Sequence, residues 1–327
     1  MEEFLRIITY LVCISAFVGV NLAWLGWVER KGAGRIQNRT ALKESGPFGL
    51  LQPLADGLKL MSKQLHVPCR ADRPLFMIAP IITMVPVLMS FVVIPFDEGI
   101  VARDINLGLL LIFAFASLGA LSLLLGGWAS RNKYALISAT RAVSQNIAYE
   151  IPMLLTAITV VMATGTMNLS EIVNQQAGTI INWNFLRLDN SILMPVSFLI
   201  FFICSVAETN RAPFDLGEAE SELIAGFHTE YSGMGFGLFM MGEYGHIVIG
   251  CCVTTILFLG GWHCPFGLYP GIHWFLIKTY LLIWVFVWIR WTYPRVTVWG
   301  LLNLSWMYLI PVALLNLILT AAFLKVF

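Results

Sequence analysis

The chain has 327 residues, of which 58% are hydrophobic and 12% charged, with a formal net charge of +1 and a mean hydropathy of +0.78. A water-soluble fold of that composition would lack the polar surface to cover itself, so lipid is the solvent the sequence specifies. At roughly 20 apolar residues per spanning helix, the length accommodates about eight spans. It leaves no room for a soluble catalytic domain, and residues 1–327 read as a single all-α membrane domain.

Apolar runs predict spanning helices at about 4–28, 74–95, 105–126, 139–164, 191–207, 236–259, 274–289 and 304–324. The first is expected to be an uncleaved span, because residues 2–6 carry two glutamates against Arg6 and no small-residue cleavage site closes the run. At its end stand Glu29, Arg30 and Lys31, followed by Arg35 and Arg39. These read either as an anchor at the membrane interface or as a site for an anionic or polar head group. Further along the same connection, Leu50, Leu54, Leu58 and Met61 recur at helical spacing, with Asp56, Lys59 and Lys63 on other faces. That pattern predicts an amphipathic helix lying in the interface.

Basic residues follow the odd-numbered connections. Nine Lys/Arg fall in 29–73, three in 127–141 and two in 290–295, and with Arg211 they make fifteen of the chain's twenty. The positive-inside rule then predicts that these connections are cytoplasmic and that both termini lie outside. Arg6, Arg103, Arg187, Lys278 and Lys325 are left for the spans and the opposite side.

Against this background the acids stand out. Glu150 lies inside the fourth run and Glu243 about two turns into the sixth, where an unpartnered carboxylate is costly. Each is a proton-relay candidate or a carboxyl group that bonds across helices. After the fifth span come Glu208, Asp215, Glu218, Glu220, Glu222 and Glu230, against the one base Arg211. In a helical 218–222 segment Glu218 and Glu222 would stack and repel. Crowded carboxylates share protons, which predicts a coupled set with some pKa values raised. Prolines and phenylalanines interleave the acids, unlike a simply solvated loop. Gly233, Gly235 and Gly237 lack a preceding strand and read as close helix packing, with Gly233 and Gly237 spaced as G-x-x-x-G. The six cysteines form no C-x-x-C pair and no cluster with histidine, which argues against a metal site. Nucleophile elbows, catalytic triads and phosphate loops are absent too, so no self-contained soluble-enzyme chemistry is expected.

Glu29-Arg30-Lys31 with Gln37-Asn38-Arg39, the stretch from Gly46 to Gly57, and Ala207-Glu208-Thr209-Asn210-Arg211-Ala212-Pro213-Phe214-Asp215 continuing to Gly233 carry a family resemblance. Over nearly its whole length the chain resembles the membrane-embedded H subunit of bacterial respiratory complex I, the proton-pumping NADH:quinone oxidoreductase, whose mitochondrial counterpart is NADH dehydrogenase subunit 1. The resemblance implies an eight-helix protein of the bacterial inner membrane with periplasmic termini. It implies no cofactor or redox centre bound by this chain and quinone as substrate. The implied partners are hydrophilic iron–sulfur quinone-site subunits, antiporter-like membrane subunits and membrane lipids, with no nucleic acid. It would place Glu29, Arg30, Arg39, Asp56 and Phe227 at the quinone site. Asp215, Glu218, Glu220, Glu222 and Glu230 would belong to a coupling loop, and Glu208, Glu150 and Glu243 would lead inward. The chain departs from the family pattern at Thr40–Glu44, at Gly217 in place of proline and at Gly235 in place of a basic residue. Two alternatives remain: the membrane subunit of an energy-converting hydrogenase or of a ferredoxin- or deazaflavin-fed relative, and a stand-alone secondary transporter with its pocket at the midplane.

Overall fold

In lipid every backbone polar group must find its partner within the protein, and a long apolar run does so by coiling. The computed structural model describes residues 2–186, 193–218, 220–267 and 269–326; Arg187 and the side chains of residues 2–8, Arg6 among them, and of Glu220, Ser221 and Val326 lie outside the described residues. In chain order the helices are α1 (Glu2–Ile36), α2 (Gln52–Ser62), α3 (Arg73–Val93), α4 (Gly108–Ala129), α5 (Lys133–Thr164), α6 (Leu169–Gln175), α7 (Met194–Glu208), α8 (Glu220–Leu223), α9 (Gly233–Phe258), α10 (Ile272–Thr292), α11 (Val298–Asn303) and α12 (Ile310–Val326). A π-helical turn at Leu304–Leu309 joins the last two into one rod. Among the described residues seven helices are long and apolar enough to cross a membrane, and with the shorter apolar α7 they make a polytopic all-α membrane protein.

The helices outrun the apolar runs that announced them. Helix α1 continues to Ile36, so Glu29, Arg30, Lys31 and Arg35 ride on its last turns. Hydropathy marks where lipid ends, whereas Glu, Lys and Arg continue a helix readily. Helix α5 begins at Lys133 because the Asn132 side chain accepts a hydrogen bond from the Tyr134 N–H, and it stops where Gly165 takes the left-handed conformation at φ 73°. Helix α9 starts at Gly233, whose φ of 54° and lack of a side chain let it sit against the backbone carbonyl of Lys63. One turn on, a Cβ at Gly237 would meet Leu60 at 3.2 Å, so the two glycines seat the end of α2 against α9.

Helix α2 turns its apolar stripe outward, with Leu54, Leu58 and Met61 exposed by 64%, 60% and 66%. A helix of this kind lies in the interface and does not cross it. The connections sort onto two ends. At one end Arg131 pairs with Asp72 at 2.9 Å, Asn132 donates to Glu230 at 2.7 Å, the Ser232 hydroxyl accepts from the His66 N–H, and the Val296 N–H donates to the Pro213 carbonyl. These contacts join the first, third, fifth and seventh connections. At the other end the Ile272 N–H donates to Asp97, the Leu109 N–H donates to the Met167 carbonyl, and Thr179 bridges Phe266.

A core around Phe91, Phe201, Phe258 and Phe275 fills the middle, and a second cluster of Phe76, Phe227, Tyr231 and Phe239 lies under the first end. At the second end Lys278 is buried on α10, with its ammonium donating to the carbonyls of Leu259, Gly261 and His263 at 2.6, 2.8 and 2.7 Å and lying 4.0 Å over the Trp183 ring. It thereby serves the carbonyls of the turn that follows α9, while the last carbonyls of α9 itself accept from Leu259, Gly261, Gln176, Asn184 and Phe185. Lys278→Met strands three carbonyls and should cost on the order of 3 kcal/mol or more, read as a lower thermal unfolding temperature in detergent. Stability equal to the parent would mean that water or lipid serves those carbonyls equally well.

Candidate functional site

The acidic connection folds back into the protein. Directly after α7, Arg211 turns inward and is 3% exposed, and on α9 it meets Glu243, itself 6% exposed, at 2.8 Å. Its guanidinium lies 4.7 Å over the Tyr244 ring and 3.6 Å from the Met240 sulfur. The loop is tied down by Gln145 of α5, whose amide donates to the Ala207 and Phe214 carbonyls at 2.7 and 2.8 Å, and by Ser138, which donates to the Gly217 carbonyl. A cation and an anion removed from water together depend on each other, since neither has bulk solvent to fall back on.

The charges of the loop are coupled through this pair. Burial by itself would depress the Arg211 guanidinium, but Glu243, Glu218, Tyr244 and Asp215 outweigh it and raise its pKa. Asp215 is pushed from 3.8 to about 6, first by burial and then by the charge of Glu218, against the opposing pull of Arg295, the Glu218 N–H and Arg211. A carboxyl group raised in this way stabilises the fold while protonated; that contribution is complete below 3.8 and is lost as pH rises through about 6. His228 is lowered by burial, with Arg211 adding to the effect and Glu218 opposing it.

The acids then part company. Helix α8 begins only at Glu220, so Glu218 and Glu222 do not stack on one helix face as the i, i+4 spacing allowed. Glu218 is half-buried beside Asp215, with one carboxyl oxygen lacking a hydrogen-bond partner. Glu222 is exposed and pairs with Arg141 at 2.7 Å, and that hydrogen bond holds its pKa below the usual value. Glu220's side chain is outside the described residues. Glu230 is tied to Asn132 at the start of α5, and Phe227 is fully buried edge-on to Phe239 at 5.4 Å. Inward of the ion pair, Glu243 and Glu208 both line a cavity of ≈ 30 Å³ together with Thr83, Asn146, Asn210 and His246. Glu150, half-buried on α5, lies within reach of the Glu208 charge.

The residues at the end of α1 separate into three groups. Arg30 pairs with Asp56 of α2 at 2.6 Å, with Gln52 and Lys59 bearing on the same carboxylate. Burial would raise Asp56, but these partners lower it overall. Glu29, buried, meets Arg290 of α10. Arg39 lines a cleft with Lys31, Arg35 and Lys43. Charge counting along the chain did not reveal that Arg290 and Arg141 are partners of acids. His246 carried one readable signal, its place three residues after Glu243 and hence on the same helix face. The two glycine departures also have local reasons. A Cβ at Gly217 would approach Ala142 at 3.2 Å, and one at Gly235 would meet Leu65 at 3.0 Å and Tyr231 at 3.2 Å.

Arg211→Met should leave Glu243 buried without its cation and destabilise the protein by roughly 3–5 kcal/mol. Adding Glu243→Gln in the same chain should restore most of that loss. Unfolding in detergent of the two single variants and the double variant measures the coupling; additive losses would show that the two side chains are energetically independent.

Comparison with known proteins adds sequence kinship to this geometry. The sequence model of a family described as NADH dehydrogenase matches residues 8–321. The chain is 64% identical over 315 residues to the NADH-quinone oxidoreductase H subunit of Desulfotalea psychrophila, covering 95% of each chain. It is 43% identical over 328 residues to the protein of the same name from Rhodospirillum rubrum, covering 98% of this chain and 95% of that one. A third, from Dehalococcoides mccartyi, is 41% identical over 322 residues, or 98% of this chain and 88% of the relative.

Proposed function

The chain belongs to the NADH dehydrogenase family and is a membrane subunit, of the H type, of an NADH-quinone oxidoreductase; from that premise we propose that it walls part of a quinone chamber and couples quinone reduction to proton movement. The observation that carries this reading is the buried Arg211–Glu243 pair, which links the loop acids Asp215 and Glu218 to the inner acids. Reducing a quinone calls for protons as well as electrons, and a change of charge beside the loop shifts the ionisation of every group coupled to it. Asp215, held at about 6, changes charge close to neutral pH.

In this reading the Arg30–Asp56 and Glu29–Arg290 pairs, with Arg39 and Phe227, belong to the quinone site. Asp215, Glu218, Glu220, Glu222 and Glu230 form the coupling loop, and Glu243, Glu208 and Glu150 lead the charge inward. A shift of one pKa unit is worth about 1.4 kcal/mol, so a few units spread over these acids suffice to bias a two-state element. The chain binds no cofactor of its own and acts with hydrophilic iron–sulfur subunits, antiporter-like membrane subunits and lipid, as one domain in a bacterial inner membrane. Gathering the odd-numbered connections at one end, where fifteen basic residues collect, supports a cytoplasmic side for that end and periplasmic termini.

A cysteine at Lys63, in a chain freed of its own cysteines, should react with an impermeant thiol reagent only in inside-out vesicles; labelling from the periplasmic side overturns the orientation. Glu218→Gln keeps size and hydrogen bonding but removes the titration. Inhibitor-sensitive quinone reduction and proton uptake in proteoliposomes, normalised to assembled complex, should fall together by roughly tenfold or more. The exposed Glu44→Gln should stay near the parent. Full rates of both processes in Glu218→Gln would reduce the loop to a packed acidic surface.

A further inference from the structure

His246 has no part in the coupling described so far, yet it is the residue around which the interior polar space is arranged. Standing three residues after Glu243, it shares that acid's face of α9. Two cavities of ≈ 30 Å³ each adjoin it. The first reaches Glu243, Asn146 and Asn210, and the second runs deeper to Ser90 among apolar side chains. Ala116, Glu208 and His246 are the residues that border both, so the carboxyl group and the imidazole are the polar groups at the junction.

The first cavity has the character of a hydrated site. The side-chain oxygens of Asn146 and Asn210 are buried without a protein partner, and both residues line it. Buried amide oxygens require a hydrogen bond, and a space of this size admits one or two waters. His246 is seated by the absence of a side chain opposite, since a Cβ at Gly119 of α4 would come within 3.0 Å of its Nε2. Around the ring stand Thr83 and Ser90 from α3, Asn146 from α5, Glu208 and Asn210 from α7 and the loop after it, and Glu243 with its partner Arg211. Helix α4 contributes no titratable group to either cavity.

We propose that His246 carries protons between Glu243 and Glu208 by way of water in the first cavity, a role that rests on the coupling function proposed above. An imidazole can accept a proton at one nitrogen and release one from the other. Once the Glu243 carboxylate has taken up a proton from the loop acids coupled to it, that proton leaves for water, the water passes one to a ring nitrogen, and the other ring nitrogen gives its proton to the Glu208 carboxylate. The histidine ends neutral, and one proton has moved from Glu243 to Glu208.

The test uses assembled complex in proteoliposomes and compares His246→Gln, Gly119→Ala, Glu208→Gln and Glu243→Gln. Glutamine still anchors water but takes up no proton, so His246→Gln should slow coupled quinone reduction by roughly tenfold or more. The solvent deuterium isotope effect should rise, because the proton step becomes more fully rate-limiting, while artificial electron acceptors are reduced at the parent rate. Gly119→Ala keeps the histidine but displaces its ring, and should reproduce the isotope effect without removing a titrating group. A parent rate and parent isotope effect in both His246→Gln and Gly119→Ala, with Glu208→Gln and Glu243→Gln inactive, would overturn the role of His246 and leave the coupling network standing. Parent behaviour in all four variants would overturn the network itself.

Discussion

The burial of Arg211 against Glu243 constrains everything around it. Removing a charge from water costs several kcal/mol even after the protein relaxes, and the cost is offset only where the counter-charge and the hydrogen bonds are in place. The turn after α7 must therefore deliver Arg211 to the level of Glu243, and Gln145 holds that turn by bonding carbonyls on both sides of the arginine. Tyr244, the next residue on α9, offers its ring face to the same cation. Asp215 and Glu218 add further negative charge, which leaves the group with more acids than bases and makes proton uptake the cheapest way to balance it.

The ion pairs of this chain differ in what they can do. Glu222–Arg141 and Arg131–Asp72 sit where water screens them, and pairs of that kind contribute little to stability. They fasten loops to the start of α5. Glu29–Arg290 and Arg211–Glu243 lie out of water, so a proton gained or lost there is felt by the neighbouring helices. The acidic connection thus combines surface fasteners with an inward-facing set, a division that equal spacing along the sequence conceals.

The spans were legible because hydropathy reports directly on contact with lipid, and the interior acids were legible because nothing masks a glutamate in an apolar run. Helix ends were less so: Arg30 and Arg35 continue α1 as good helix formers although they end its apolar stretch. Pairings were hidden altogether. Nothing local to Glu29 names Arg290, and nothing local to Lys278 announces the three carbonyls it serves in the turn after α9. Such contacts depend on which helices become neighbours. The spacing of Glu218 and Glu222 could not say whether one helix carries both; Glu218 lies in a bend, and α8 spans Glu220–Leu223.

Packing around α9 explains why charge, rather than backbone movement, is the natural signal here. A Cβ at Gly242 would fall 2.3 Å from a Thr83 methyl, and one at Gly245 would fall 2.5 Å from a Val87 methyl. Glycines set helix α9 hard against α3 over the very turns that carry Glu243 and His246, with no slack for either helix to slide. A close-packed interior changes between discrete arrangements and does not deform continuously. The coupling we propose would therefore relieve a new charge at Glu243 through protons and through water admitted to the first cavity, not through a shift of α9 against α3.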